Sequence, residues 1–238
     1  MQKSVKIALI AVVAVVVLGG AGFYWFVLRD TAPPVVTLGD APTGTVAANA
    51  PATPDGNWKV QQETKPEADS SDYKVFVGYR VMELFAGDTI KKEAVGRTVD
   101  VTGTMTVKGQ TVPAAQIEAT LTSLKSDRSP RDNYIHNVGL ESDQFPKATF
   151  KLTAPIQLPS APKLGEKQSV MATGDLTLHG QTKSVSAPLE TRWNGATIQV
   201  TGLVPITFAD YGIQKITIPT LSTDDKGSLE IALTFVPA

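Results

Sequence analysis

From about residue 57 to the end of the chain, apolar and polar residues alternate with a period of two, run after run. Successive side chains of a strand point to opposite faces, so each run reads as a β-strand with one buried face. Between Thr98 and Val107, Val99, Val101, Met105 and Val107 share one face, and Thr98, Asp100, Thr102, Thr104 and Thr106 share the other. Ile117, Ala119 and Leu121 oppose Glu118, Thr120 and Thr122, and Phe150, Leu152 and Ala154 oppose Thr149, Lys151 and Thr153. The run at 227–236 sets Leu229, Ile231, Leu233 and Phe235 against Ser228, Glu230, Ala232 and Thr234. Leu176 and Leu178 close a further run at 170–178, and runs at 72–81, 184–193 and 196–204 bring the total to about eight strands. Short strands separated by regular turns describe an all-β sandwich or barrel.

Two segments state the pattern in nearly the same words. Gly103-Thr104-Met105-Thr106-Val107-Lys108-Gly109-Gln110-Thr111 returns as Gly174-Asp175-Leu176-Thr177-Leu178-His179-Gly180-Gln181-Thr182. Each reads as a hairpin, an alternating strand followed by a glycine that supplies positive φ for the reversal. The flanking residues share little, so hairpin chemistry alone accounts for the likeness. Two hairpins of one antiparallel sheet are expected.

The polar faces decide which way round the sheet lies. Thr, Lys and Glu suit water, while Val, Leu, Ile and Phe must face one another across an interior. A membrane-spanning barrel reverses this order. The expected fold is an eight-stranded antiparallel barrel whose apolar face encloses either a packed core or a cavity. Met82 to Val95 and Ser126 to Gln144 read as non-strand insertions. In the second, Tyr134, Ile135, Val138 and Leu140 suit one short amphipathic helix, placed to plug one barrel end.

Ahead of the strands the composition changes twice. Ile7 to Leu28 contains no charge, and as a helix such a run is about 33 Å long, enough for a ~30 Å hydrocarbon layer. Lys3 and Lys6 precede it, which places the N-terminus in the cytoplasm and the rest of the chain outside. A cleaved signal peptide is the competing reading, with a secreted domain as its consequence. Residues 30–56 are rich in Pro, Ala and Thr and read as a tether with too little apolar surface to order itself. The expected organisation is therefore 1–29 anchor, 30–56 linker and 57–238 barrel. With no cysteine there is neither a disulfide framework nor a thiolate metal site. A net charge of −1 argues against nucleic acid, which demands a basic face.

Several linked motifs then resemble one family. Arg131-Asp132 is followed by Phe145-Pro146-Lys147-Ala148-Thr149-Phe150, by Gly174 to Lys183, and by Ile206-Thr207-Phe208-Ala209-Asp210-Tyr211-Gly212-Ile213. In order and spacing this resembles the YceI-like family across roughly Trp58 to Phe235. Trp58-Lys59-Val60 fits an opening Trp-x-Val strand, but Gly78-Tyr79-Arg80-Val81 stands where members often carry His-Ser. The resemblance implies a lipocalin-like barrel, usually exported, whose apolar tunnel holds a long isoprenoid chain. It implies lipid contact for the inward residues: Val99, Val101, Met105, Ile117, Leu121, Phe150, Leu152, Leu176, Leu178, Ile231, Leu233 and Phe235.

Other residues invite a chemical role and have a plainer reading beside it. His179 sits at a turn where the echo has Lys108, and reads as an exposed turn residue. His136 has no second His or Cys near it, so no metal is expected. Arg128 and Arg131 could bind a lipid headgroup, but local pairing, with Asp132 as helix cap, accounts for them. Asp210-Tyr211-Gly212 reads as a tight turn. No Gly-x-Ser-x-Gly elbow appears, so no enzyme and no cofactor are expected. The expected partners are a long-chain lipid and the membrane. A homodimer stays open as an assembly state. An interaction module with a filled barrel, working through its outer loops, is the alternative.

Overall fold

The computed structural model describes residues 32–39, 51–62 and 75–238. The chain divides into two compact units, Met1–Ala32 and Pro33–Ala238, and the strands of the described residues belong to the second. The expected span Ile7 to Leu28 lies outside the described residues. Among those described, no helix is long and apolar enough to cross a membrane.

The strands run in chain order as β1 (Gly56–Val60), β2 (Phe76–Phe85), β3 (Lys92–Thr98), β4 (Val101–Lys108), β5 (Thr111–Thr120), β6 (Lys125–Ser126) and β7 (Lys147–Leu152). There follow β8 (Ile156–Gln157), β9 (Lys167–Leu178), β10 (Gln181–Trp193), β11 (Ile198–Thr207), β12 (Thr217–Ile218) and β13 (Leu221–Pro237). Among the described residues a short helix, α1 (Ser129–Tyr134), continues into a π-helical turn at Ile135–Gly139, and Phe208–Tyr211 forms a 3-10 turn.

All pairings are antiparallel and they close: β1-β4-β5-β7-β9-β10-β11-β13, with β13 bonded back to β1. Closure removes the exposed edges that an open sheet would carry. The barrel is eight staves round because short strands share places. β1 and β2 both lie along β13, Val60 opposite Phe235 and Phe76 opposite Ala232. On its other side β1 pairs β4, and β2 pairs β3.

The two echoing hairpins are both present but slipped by one residue. Lys108 pairs Thr111, leaving Gly109 and Gln110 as the loop, whereas Leu178 pairs Gln181 around His179 and Gly180. Only Gly109 has positive φ in the first, at 57°, while His179 and Gly180 both do in the second, at 49° and 70°. Both arrangements belong to the primed turns whose twist matches a hairpin. The first strand absorbs the slip as a bulge between Thr106 and Lys108.

Two sequence expectations are corrected by the fold. Met82 to Val95 is not an insertion: most of it is the end of β2 and the start of β3, joined by a short turn. Its alternation is masked because the inward Glu83 is charged yet buried by pairing with Arg131. The linker is likewise not all free tether. Residues 33–39 lie against the outer wall, with Leu38 only 6% exposed.

That strap is tied down by the outward side chains beneath it. Glu230, wholly buried, lies within 3.1 Å of Arg80 and Arg97 nitrogens and accepts from the backbone N–H of Val36 at 3.1 Å. Arg80 donates to the Pro33 carbonyl at 2.7 Å, Arg97 to Pro34 at 3.3 Å and Lys167 to Leu38 at 3.4 Å, while Arg192 donates to Gly39. Composition misses this because the strap is held through backbone carbonyls, which every residue has.

Candidate functional site

The inward faces of the staves do not meet. They enclose an apolar cavity of about 270 Å³, lined by residues of β2, β4, β5, β7, β9, β10, β11 and β13. That volume is near the lower end of the ~300–1,000 Å³ usual for small-molecule pockets. Alternation is the cause: β9 contributes Val170, Ala172, Leu176 and Leu178, and β10 answers with Val185, Ala187 and Leu189. Ala172 and Ala187 are cross-strand partners, so two small side chains stand side by side on one wall where larger ones would fill the bore. Gly174 makes room in the wall, since a Cβ there would lie 2.5 Å from the Phe150 ring.

Of the residues the sequence assigns to lipid contact, Met105, Ile117, Leu121, Phe150, Leu152, Leu176, Leu178, Ile231, Leu233 and Phe235 all line this cavity. Val99 and Val101 do not. Val101 is fully buried in the main core cluster, and Val99 falls in the break between β3 and β4. There the Val101 N–H donates to the Val99 carbonyl at 2.9 Å, a tight reversal that resets the parity of the wall. Thr98, read as outward, consequently borders the cavity, and Met105 and Val107 resume from the other parity.

Each end of the lumen is built differently. At one end α1 and its π-turn bring Tyr134, Ile135 and Leu140, and the 3-10 turn brings Phe208, with Ile213 just beyond it. The short amphipathic helix expected from the sequence is therefore in place at that end. His179 is corrected from exposed turn residue to pin: its side chain is 12% exposed, Nδ1 lies 2.9 Å from the Tyr211 carbonyl and Nε2 lies 2.9 Å from Glu141. Phe145 packs edge-on against it at 4.6 Å. His179 thus joins the β9–β10 turn to the helical insertion and the 3-10 turn.

Beside the same end sits a charged cluster. Glu83, nearly inaccessible, takes two bonds from Arg131, at 2.9 and 2.8 Å, and Arg131 also reaches Asp127. Burial alone would lower the Arg131 guanidinium, but the Glu83 bonds outweigh it and hold the group above its ordinary range. Local pairing of the arginine is what the sequence leads one to expect. Asp132, however, does not cap α1; it accepts from the Ser126 N–H at 2.8 Å and its hydroxyl at 2.6 Å, and the N-cap position is Arg128, without a side-chain bond. Tyr79 lies over Gly96, where a Cβ would come within 2.3 Å of the ring, and points into the lumen. Burial pushes its phenol well above the usual tyrosine range.

The opposite end is finished by β9 and β10 at Gln168, Thr191 and Trp193, with Pro54, Lys163 and Glu166 around them. Trp193 ends the alternating run at 184–193, on the same face as Val185, Ala187 and Leu189, and the sequence assigns it no role. Asp210-Tyr211-Gly212 is the expected tight turn, with Gly212 left-handed at φ 70°. Among the described residues no cluster of three or more His, Asp or Glu could hold a metal ion.

Comparison with known proteins agrees with this architecture. The YceI-like domain model matches residues 67–235. No curated protein matches the chain in sequence. Similar solved structures include a polyisoprenoid binding domain from Saccharophagus degradans implicated in plant cell wall breakdown, 15% identical over 68% of this chain and 94% of that one, with a TM-score of 0.52. BcnA of Burkholderia cenocepacia is 20% identical over 66% of this chain and 95% of its own, at a TM-score of 0.49. The Campylobacter jejuni YceI protein is 16% identical over 58% and 83%, at 0.42. With the family model matching most of its length and its staves closed into one barrel, the chain belongs to the YceI-like domain family.

Proposed function

We propose that this protein binds or carries a long apolar lipid of the isoprenoid type inside its barrel, outside the cytoplasm and without chemistry. The observation that carries the reading is the apolar lumen, which a filled-barrel interaction module would lack. Binding by burial is energetically sufficient. Sequestering on the order of 400 Å² of chain gives about 10 kcal/mol at ~25 cal/mol per Å², against an association cost of roughly 4–15 kcal/mol. The polyisoprenoid-binding domain of Saccharophagus degradans shares the barrel fold and lends support to the ligand class.

The apolar run Ile7 to Leu28, with lysines on its N-terminal side only, supports a membrane tether or export signal. A tether would keep the lumen near the membrane that supplies such a lipid, raising the encounter rate without a new contact. The test is equilibrium uptake of a radiolabelled polyprenol by the purified, delipidated full chain. Saturation near one per chain is expected. Uptake that rises linearly without saturating would refute the carrier reading.

A further inference from the structure

Three polar atoms of residues lining the lumen have no partner among the described residues, and two of them lie together at one end. Trp193 is 5% exposed and its indole N–H meets no acceptor; Gln168 is 8% exposed and its side-chain carbonyl meets no donor, among the described residues. Both line the cavity. The orientation of the Gln168 amide is fixed, because its nitrogen donates to the Ser160 carbonyl at 3.3 Å and to the Ser160 hydroxyl at 3.1 Å, and a carbonyl can only accept. Oε1 is therefore the atom left over. Gln168 pairs with Thr191 across β9 and β10, which makes Trp193 its diagonal neighbour on the inward face. Diagonal neighbours stand about 7–8 Å apart at the backbone, a span that two long side chains and one small group between them can close.

We propose that this end of the lumen is a site for a single neutral hydroxyl at the terminus of an apolar chain, held by Trp193 and Gln168. The proposal rests on the carrier reading and names the polar group of its ligand. Chemistry selects the hydroxyl. Trp193 offers only a donor and Gln168 Oε1 only an acceptor, and a hydroxyl accepts from the first while donating to the second. A ketone or quinone carbonyl satisfies Trp193 and leaves Gln168 unpaired, and a hydrocarbon end satisfies neither. An anion would be set against the Gln168 oxygen. The nearest charged lining groups, Lys163 and Glu166, lie 3.5 Å apart and offset each other. Tyr79, the other lumen residue whose polar atom lacks a bond, already has Ser126, Glu83 and Arg131 around it, so the end without protein partners is the one at Trp193.

The experiment uses the purified, delipidated full chain and three probes of equal chain length: geranylgeraniol, a methyl ketone and the hydrocarbon without a polar end. Each competes with a fluorescent polyene. One hydrogen bond to a buried neutral group corresponds to about a 5–10-fold difference in Kd. The alcohol should bind best, the ketone next and the hydrocarbon least. Gln168→Met should bring the alcohol down to the level of the ketone and leave the other two unchanged. Trp193→Phe should weaken alcohol and ketone alike and spare the hydrocarbon, whose retained binding shows that the lumen is intact. Equal affinity of alcohol and hydrocarbon in the parent chain, or indifference of the alcohol to Gln168→Met, would overturn the hydroxyl site while leaving the carrier reading in place. Failure of all three probes to bind would overturn both.

Discussion

Replacing Glu230 by Gln tests the way the strap and the wall hold each other. Glu230 is wholly buried on the outer side of β13, with Arg80 and Arg97 nitrogens at 3.0–3.1 Å and the Val36 N–H at 3.1 Å. Burial pushes the Arg97 guanidinium down, and the Glu230 carboxylate is what pulls it back. Removing one partner of a buried ion pair costs about 3–5 kcal/mol, since the other charge stays behind. Arg80 keeps a second carboxylate, Glu93, at 2.6 Å, so the loss of the Glu230 charge falls mainly on Arg97 and the lower end, about 3 kcal/mol, applies. For a domain near 200 residues each kcal/mol moves Tm by about 2–4 °C, which gives a fall of roughly 6–12 °C. Urea unfolding followed by tryptophan fluorescence reports it, with Trp58 and Trp193 both buried. The double change Glu230→Leu with Arg97→Met removes both charges and should cost less than Glu230→Gln alone. A loss below about 1 kcal/mol for the single change, or a double change as costly as the single, would refute the reasoning.

Leu38→Asp puts a carboxylate where the strap packs tightest; it should release residues 33–39 to limited proteolysis and lower stability by about 2 kcal/mol, and an uncut strap would count against its docking. Leu152→Arg sets an unpaired charge in the lumen, so lipid uptake or folding should be lost, and an unaffected protein would mean that β7 faces the other way. Tyr79 is an acid whose folded-state pKa lies above its unfolded one, so stability is full below the unfolded value near 10 and falls as pH rises through it. Tyr79→Phe should flatten that alkaline fall in urea unfolding between pH 9 and 11, and an identical pH profile would exclude the burial argument.

The barrel is legible in the sequence because alternation is a local signal that repeats. Leu229 to Phe235 and Val170 to Leu178 announce their inward sides without any knowledge of their neighbours. Alternation fails where the backbone breaks parity or where charge is buried. It places Val99 inward because nothing in Thr98 to Val101 marks the reversal between β3 and β4. Met82 to Val95 resembles a loop because a turn at 86–91 interrupts it and its inward Glu83 is hidden by a partner distant in sequence, Arg131. His179 reads as exposed because the acceptors that bury it, Glu141 and the Tyr211 carbonyl, arrive from two other segments. Composition likewise describes the linker but not the guanidinium groups waiting for its carbonyls.

The most direct test of a lipid-holding lumen is to purify the full chain gently from the cells that produce it, extract it with organic solvent and weigh what leaves by mass spectrometry. The account predicts an isoprenoid-type lipid near one per chain, absent from the extract of a Leu152→Arg variant that still folds. A folded, native protein that yields no stoichiometric lipid would contradict it.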